Sequence, residues 1–211
     1  NASALKKDAL ADLLAKFIPI EYKNILFTLD QSRYELIRLI VKHDGCLGVD
    51  TMKMSQVESL LEYGLVFPGL YCDEKILFMP AELIKEFKTV DEIELKKIVR
   101  RNTDWITLTY GLLYYCGVVD AWHAMNIVSK LTEQEIDFPE YMKVLSVAND
   151  FYQQGRLTGY GYKDYRVIDG KTIMEEQKKR PDVDYYPFSK EQLCQASEPD
   201  YVDRTPAAEN F

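Results

Sequence analysis

The sequence predicts a mainly α-helical fold in which short amphipathic helices are followed by a β-hairpin. Three observations support this prediction. Apolar residues recur at helical spacing in several segments, each of which ends near a proline, a glycine or an Asp-Gly pair. After Gly64 the pattern changes to two short apolar runs that are typical of strands. The 211 residues are 47% hydrophobic and 28% charged, which is the composition of an ordinary globular protein.

Residues 1–18 are predicted to form a leading amphipathic helix. Its apolar residues are spaced so that they share one helical face. They are Leu5, Ala9, Leu10, Leu13, Leu14 and Phe17. Pro19 is expected to end this helix, because a proline inside a helix removes a backbone hydrogen bond and crowds the preceding turn.

Residues 19–90 are predicted to form a winged-helix-like domain. Its helices are bounded by capping residues and helix breakers, including a predicted Ser32 cap and a stop at Gly64. They are expected at Ile20–Leu29, Tyr34–His43, Met52–Tyr63 and Ala81–Phe87. The hairpin strands are expected at Leu65–Phe67 and Lys75–Met79, separated by turn signals at Pro68-Gly69 and Asp73-Glu74. Three helices, a hairpin and a helix follow each other in the order of a winged-helix module.

Residues 91–170 are predicted to form a second helical unit, for which a second winged helix is one of two interpretations. Its helices are expected at Asp91–Arg101, Trp105–Cys116, Ala121–Leu131 and Pro139–Asp150. Asp120 is expected to cap the third of these helices. The segment Arg156–Ile168 contains glycines, strand-forming residues and an Asp-Gly turn, and it could form a second wing. Duplication of the first unit stays open, because no residue-level identity joins the two halves.

Residues 171–211 are predicted to form an extended C-terminal tail with short helices. A charged helix is expected at Ile173–Lys179, and Ser189 is expected to cap a last helix that ends near Ala196. Between these helices the aromatic and proline residues of Tyr185-Tyr186-Pro187-Phe188 favour extended backbone. The tail is expected to pack on the preceding helices through its aromatic residues.

The net charge and the spacing of the cysteines reduce the number of functional classes to which the chain could belong. The chain has 26 basic and 34 acidic residues, and its formal charge of -8 disfavours broad attraction to nucleic-acid phosphates or anionic membranes. The longest apolar stretch, Tyr110–Val119, is well short of the roughly 20 residues that span a bilayer. The four cysteines form no CxxC pair, so they are interpreted as reduced thiols in a cytoplasmic protein.

No catalytic or metal-binding constellation is recognisable. The two histidines, His43 and His123, are interpreted as structural, and neither belongs to an HxxxH or HExxH pair. The acidic residues Glu133, Glu135, Asp137 and Glu140 are interpreted as exposed loop and helix-start charges. The chain is therefore predicted to be a non-enzyme that holds no cofactor and no zinc.

Two basic segments are candidates for nucleic-acid binding. Both place several cations close together, and the second interleaves them with aromatic rings on which bases could stack. The first comprises Lys96, Lys97, Arg100 and Arg101, and the second comprises Arg156, Tyr160, Tyr162, Lys163, Tyr165 and Arg166. In the alternative interpretation, Glu92 and Glu94 neutralise the first segment, and in the second segment the tyrosines pack beneath the tail while the cations are solvated.

Two short stretches carry a resemblance to known families. Leu5-Lys6-Lys7-Asp8-Ala9-Leu10 resembles the last helix of a Rho-terminator N-terminal-like motif. Glu176-Gln177-Lys178-Lys179-Arg180-Pro181 and the aromatic tail after it resemble uncharacterised bacterial proteins that often carry a cysteine-rich SEC-C zinc motif. This resemblance implies a winged-helix-like body and no established activity. The present sequence lacks the clustered Cys and His ligands of that motif.

The leading functional hypothesis is a non-enzymatic cytoplasmic module that binds another protein and no membrane. The exposed face of the third predicted helix carries Lys53 against Glu58 and Glu62, and the hairpin tip is Asp73-Glu74-Lys75. Such a surface is a poor match to phosphate. The alternative hypothesis is a DNA- or RNA-binding transcriptional regulator that uses the second unit. The oligomeric state stays open.

Overall fold

The computed structural model describes residues 7–49, 52–90 and 92–204 of the chain. Across these residues nine helices alternate with two small three-stranded antiparallel sheets, so the predicted mainly α-helical class is confirmed. The chain divides between Arg101 and Asn102 into two units, which we call unit 1 and unit 2. None of the helices in the described ranges is long and apolar enough to cross a membrane.

Unit 1 contains the first three strands and the first four helices of the described residues. In chain order these elements are α1 (Lys7–Leu26), α2 (Gln31–Lys42), β1 (Cys46–Gly48), α3 (Met54–Glu62), β2 (Phe67–Tyr71), β3 (Glu74–Phe78) and α4 (Ala81–Thr89). The next helix, α5 (Glu92–Cys116), includes the boundary between the units. The predicted stop at Gly64 is confirmed, since α3 ends just before this residue and Gly64 has a φ of +64°.

The predicted hairpin forms, but β2 is longer than the expected first strand and starts two residues later, and β3 starts one residue earlier than the expected second strand. β2 and β3 pair antiparallel, and Cys72 and Asp73 make the turn with positive φ angles of 49° and 65°. The predicted turn at Pro68-Gly69 is wrong, because both residues lie within β2 opposite Leu77 and Ile76. Pro68 is tolerated there because β2 is an edge strand, with the short strand β1 on the other side of β3.

α1 continues through the position at which the sequence predicts a break. Pro19 lies inside this 20-residue helix, so the prediction of two separate helices is wrong. The C-terminal part of α1 is anchored by the buried side chains of Tyr22 and Leu26, and the Tyr22 hydroxyl lies 3.7 Å from the Met79 sulfur. This burial offsets the cost of an internal proline, which is about 3 kcal/mol. Leu5, at the start of the predicted stripe, lies outside the described residues.

The cap of α2 is Asp30, so the predicted Ser32 cap is also wrong. The Asp30 carboxylate accepts the backbone N–H of Arg33 at 3.0 Å and pairs with the Arg33 guanidinium at 3.1 Å. Arg33 also donates to the Thr28 carbonyl at 2.9 Å. Both charged side chains are almost fully buried. Asp30 is preferred to Ser32 because one carboxylate can cap the helix and neutralise this buried cation at the same time.

α5 is a single 25-residue helix where the sequence predicts two. The residues between the predicted helices, Asn102 to Asp104, are weak helix formers, but none is glycine or proline. Asn102 and Trp105 are buried, so packing of this turn favours the helix. α5 ends before Gly117, whose φ is +71°. Asp91, the predicted start, lies outside the described residues.

Unit 2 repeats the arrangement of a sheet with helices around it. After α5 its elements are β4 (Val118–Val119), α6 (Ala121–Thr132), α7 (Phe138–Tyr152), β5 (Gly155–Thr158), β6 (Gly161–Asp164), α8 (Gly170–Lys178) and α9 (Lys190–Ala196). The sheet has the order β4-β6-β5, which matches the order β1-β3-β2 in unit 1. The predicted Asp120 and Ser189 caps are confirmed, and Gln192 completes the capping box of α9.

The core of unit 2 is formed by α5, α6 and α7. Trp105 and Tyr141 contact each other edge to face at 5.8 Å, and the Thr109 hydroxyl lies 2.7 Å from the Tyr141 hydroxyl. Because Thr109 donates to the Trp105 carbonyl at 2.6 Å, it can accept the Tyr141 proton. Burial raises the pKa of Tyr141, which keeps its hydroxyl protonated as a donor.

The C-terminal segment belongs to this core. Leu193 of α9 is fully buried within the core, and α9 passes directly over Gly111 of α5. The aromatic tail packs as expected, since Phe188 stacks on Tyr115 at 4.4 Å and Tyr201 contacts Tyr114 at 5.2 Å. Residues 205–211 of the predicted tail lie outside the described range.

Replacing Gly111 by alanine should displace α9. A Cβ at this position would lie 2.1 Å from the Leu193 carbonyl oxygen, and this obstacle is backbone that cannot rotate away. We expect Gly111→Ala to destabilise the protein by about 1–3 kcal/mol or more in urea unfolding, because overpacking forces backbone shifts. Gly159→Ala is the control, since nothing lies within 4 Å of its Cβ. Equal stabilities of the two variants would contradict this packing.

Candidate functional site

Two of the predicted nucleic-acid-binding residues are buried in the strand β6. Tyr162 is 1% exposed, and its hydroxyl lies 3.6 Å from the Met142 sulfur. Lys163 is 9% exposed, and its Nζ donates to the Val167 carbonyl at 2.5 Å. Neither side chain is accessible for base stacking or phosphate contact. For Tyr162 the structure supports the alternative interpretation of a ring packed in the core, whereas the same alternative expected a solvated Lys163.

Arg166 is exposed, but a neighbouring carboxylate neutralises it. Its Nε and Nη2 donate to the two oxygens of Asp164, each at 2.8 Å. The guanidinium also lies 4.6 Å from the centre of the Tyr114 ring. The hydrogen bonds to Asp164 raise the pKa of Arg166 and hold the side chain in a fixed position. A phosphate would therefore compete with an existing bidentate ion pair.

The remaining predicted residues of this segment are more accessible. Arg156 on β5 and Tyr165 after β6 are exposed, whereas Tyr160 is half-buried. The structure therefore brings no continuous row of free cations and rings together within Arg156–Arg166. Its most exposed ring, Tyr165, lies 5.5 Å from the Arg166 guanidinium.

The first basic segment lies on α5 and belongs to unit 1. Lys96 pairs with Glu92 at 2.8 Å, as the neutralising interpretation expects. The hydrogen bond from Lys96 lowers the pKa of the Glu92 carboxyl. Lys97 and Arg100 are exposed, and Arg101 is half-buried. These cations and those of Arg156–Arg166 belong to different units.

A surface that the sequence analysis missed is the outward face of the first sheet. We define the outward sheet face as Cys46, Phe67, Tyr71, Ile76 and Phe78, and the exposed Glu74 lies at its end, paired with Tyr71. Cys46, Phe78 and Phe67 are directly paired across the three strands, and the two phenylalanine rings lie 5.9 Å apart. Phe67 is 41% exposed and Tyr71 is 69% exposed, whereas Leu77 on the opposite face is buried.

Glycines make this face unusually open. Ile76 is paired with Gly48 on one side and with Gly69 on the other, so neither directly paired residue has a side chain beside it. Solvent-facing sides of antiparallel sheets normally carry polar residues. The sequence held a signal for this face, because the run Ile76-Leu77-Phe78 is apolar at every position and only alternate residues can face the core.

A cleft of about 830 Å³ lies in unit 2 between the end of α5, the start of α6 and α8. Gln177 connects its walls, because its amide donates to the Val118 carbonyl and its oxygen accepts the Tyr185 hydroxyl, both at 3.0 Å. The lining combines aromatic, apolar and charged side chains. It includes Tyr115, Cys116, Asp120, His123, Ile173, Met174, Gln177, Arg180, Val183 and Tyr185.

Two titratable groups of this cleft, Cys116 and Tyr185, are held in their neutral forms. Burial raises the pKa of the Cys116 thiol to about 11, so the thiol stays protonated near neutral pH. Burial also raises the pKa of Tyr185 to about 12. His123 contacts the Tyr185 ring at 5.3 Å. A protonated thiol is a poor nucleophile, so Cys116 is not activated for covalent catalysis near neutral pH.

Metal-ligating residues are dispersed in the part of the chain that the structure describes. There, no three or more His, Cys, Asp or Glu side chains form a group that could hold a metal ion. All four cysteines are free thiols. Asp137 of the acidic stretch caps α7 by accepting the Glu140 N–H at 2.9 Å, and His43 lies at the C-terminal end of α2.

Comparison with protein-family models, with curated proteins and with solved structures found no match to this chain. The resemblance to winged-helix-like proteins that carry a SEC-C motif therefore stays an expectation. The arguments about function depend on the geometry described above.

Tyr162→Ala should destabilise unit 2, whereas Tyr165→Ala should be tolerated. The Tyr162 ring is part of the core, and its removal leaves a cavity that should lower the free energy of unfolding by about 3–5 kcal/mol. Tyr165 is 57% exposed and serves as the matched control three residues away. Thermal and urea unfolding would measure both effects. A fully stable Tyr162→Ala protein would contradict the burial of this ring.

Cys116 should resist alkylation near neutral pH. Cys46 and Cys72 are exposed and should react with iodoacetamide at pH 7.5, whereas burial keeps Cys116 protonated and shielded. Since its pKa is raised to about 11, the thiolate fraction and the labelling rate should increase about tenfold per pH unit above neutrality. Mass spectrometry of the labelled peptides would follow each site. Equal labelling of Cys116 and Cys72 at pH 7.5 would contradict the raised pKa.

Proposed function

We propose that the protein is a non-enzymatic interaction module that binds another protein through the outward sheet face. The observation that carries this proposal is the row of exposed apolar side chains, Phe67, Phe78 and Tyr71, on a folded sheet. Apolar and aromatic residues on an exposed patch are typical of protein contact sites. The nearest charged residues at the hairpin tip, Asp73, Glu74 and Lys75, are mainly acidic and unsuited to phosphate.

We also propose that each unit is a winged-helix domain. In unit 1 the helices α1, α2 and α3 precede the hairpin β2–β3, and in unit 2 the helices α5, α6 and α7 precede the hairpin β5–β6. The shared sheet order supports this proposal. The short strand follows the second helix in unit 1 and the first helix in unit 2. If the units arose by duplication, the position of this strand in the chain has changed in one of them.

The nucleic-acid alternative receives less support from the same geometry. The third helix of unit 2, α7, exposes Lys143, Ser146 and Asp150, which gives no basic face for the major groove. In the predicted binding segment Lys163 is buried and Arg166 is paired with Asp164. The free thiols support a reducing compartment, and we propose that the module acts in the cytoplasm.

Site-specific photo-crosslinking tests the proposed contact surface. A benzophenone amino acid at Tyr71 lies on the outward sheet face, whereas the same probe at Leu70 points to the other side of the sheet. Leu70 is a matched control for Tyr71, since the two side chains are similarly exposed, at 75% and 69%. In cells that naturally express the protein, we expect Tyr71 to yield a protease-sensitive, nuclease-resistant adduct and Leu70 to yield none. The double variant Phe67→Ser, Phe78→Ser should abolish the adduct.

Oligonucleotide binding is the outcome that would overturn this function. A labelled single strand or duplex that binds at micromolar protein near physiological salt would support the regulator instead. Its salt slope should then fall by about 0.7–0.9 for each phosphate contact removed. Arg156→Ser, Lys97→Ser and Arg100→Ser are suitable variants because all three side chains are exposed.

A further inference from the structure

The first half of α1 presents apolar side chains to solvent. Five large residues within eight positions are 36–57% exposed, and they are Leu13, Leu14, Phe17, Ile18 and Ile20. At about 100° per residue, Leu13, Phe17 and Ile20 lie along one face of the helix. Tyr22 and Leu26, which anchor α1 in unit 1, lie on the opposite face. The exposed stripe is therefore directed away from the part of the helix that is already packed.

We propose that this stripe pairs with the same stripe of a second copy in a short parallel coiled coil. This inference rests on the proposed interaction function and adds one partner, the chain itself, on a separate surface. In heptad terms Leu10, Phe17 and Asn24 occupy a positions, and Leu13 and Ile20 occupy d positions. Pro19 occupies a c position, so it lies outside the seam between the helices.

Charge complementarity identifies the second copy as the partner and sets its orientation. Lys16 occupies a g position and Glu21 the following e position, and both are exposed. In a parallel pair each g residue lies beside the e residue five positions later in the partner, so two reciprocal Lys16–Glu21 ion pairs form. In an antiparallel pair the g edges meet, and Lys16 and Lys23 of one copy would face the same lysines of the other.

Asn24 supports two strands in a fixed register. It is half-buried in a single copy and lies on the same face as Ile20. One asparagine at an a position selects a register and an oligomeric state at some cost in stability. The apolar seam covers only about two heptads, so the pairing should be reversible and dependent on concentration.

Cysteine crosslinking tests the seam directly. In a chain with Cys46→Ser and Cys72→Ser, which removes the two exposed thiols, Leu13→Cys places a thiol at a d position. A parallel pair brings the two thiols within disulfide distance, so mild oxidation should give a covalent dimer. Ala15→Cys is the matched control, because Ala15 is exposed at an f position. Equal crosslinking at the two positions, or none at Leu13→Cys, would overturn the proposal.

Charge reversal provides an independent test by sedimentation equilibrium. Lys16→Glu alone and Glu21→Lys alone should each weaken dimerisation by about fivefold to tenfold, because like charges then meet across the seam. The double variant should restore the native dissociation constant, since the two ion pairs re-form with reversed sign. A native chain that remains monomeric up to about 0.2 mM would overturn the proposal. The crosslinking result at Tyr71 would be unaffected, so failure of the dimer and failure of the proposed function are distinguishable.

Discussion

The architecture of unit 2 depends on the close approach of two backbones at Gly111. A side chain of any size on this residue would occupy the space of the Leu193 carbonyl group. Because Gly111 leaves this space free, α9 lies against α5 and Leu193 enters the core. The segment from Tyr185 to Phe188 is then held on α5 and α6, where Tyr185 reaches Gln177 and closes one wall of the cleft. The absence of a Cβ atom at Gly111 therefore allows the C-terminal segment to take its position on α5.

Unit 1 depends on a different constraint, the buried pair of Asp30 and Arg33. Removing either partner would leave a charge without compensation in the protein interior, which is strongly destabilising. The same carboxylate caps α2, and the guanidinium also binds the Thr28 carbonyl in the connection from α1. One ion pair thus joins the end of α1 to the start of α2 and fixes the angle between these two consecutive helices.

The ends of helices were predictable from the sequence where a capping residue or a glycine determines them. They were less predictable where packing against other elements determines them. Asp120, Ser189 and Gly64 act through backbone hydrogen bonds within a few residues, and sequence alone reveals such signals. Pro19 is a strong local breaker, but burial of residues further along α1 outweighs it. β1 and β4 have three and two residues, so neither is long enough to show a periodic pattern. The burial of Tyr162 and Lys163 depends on partners in other elements.

The outward sheet face also has a consequence for how a partner can be recognised. Pro68 stands in the edge strand β2, and a proline has no N–H to offer to an incoming strand. A partner therefore cannot extend the sheet along the full length of this edge through main-chain hydrogen bonds, which any sequence could supply. At the β2 edge a partner must instead contact the side chains on the outward sheet face. Recognition through side chains is selective, because the substitution of one ring can change which partner is bound. Pro68 also protects the β2 edge of the free protein from edge-to-edge aggregation.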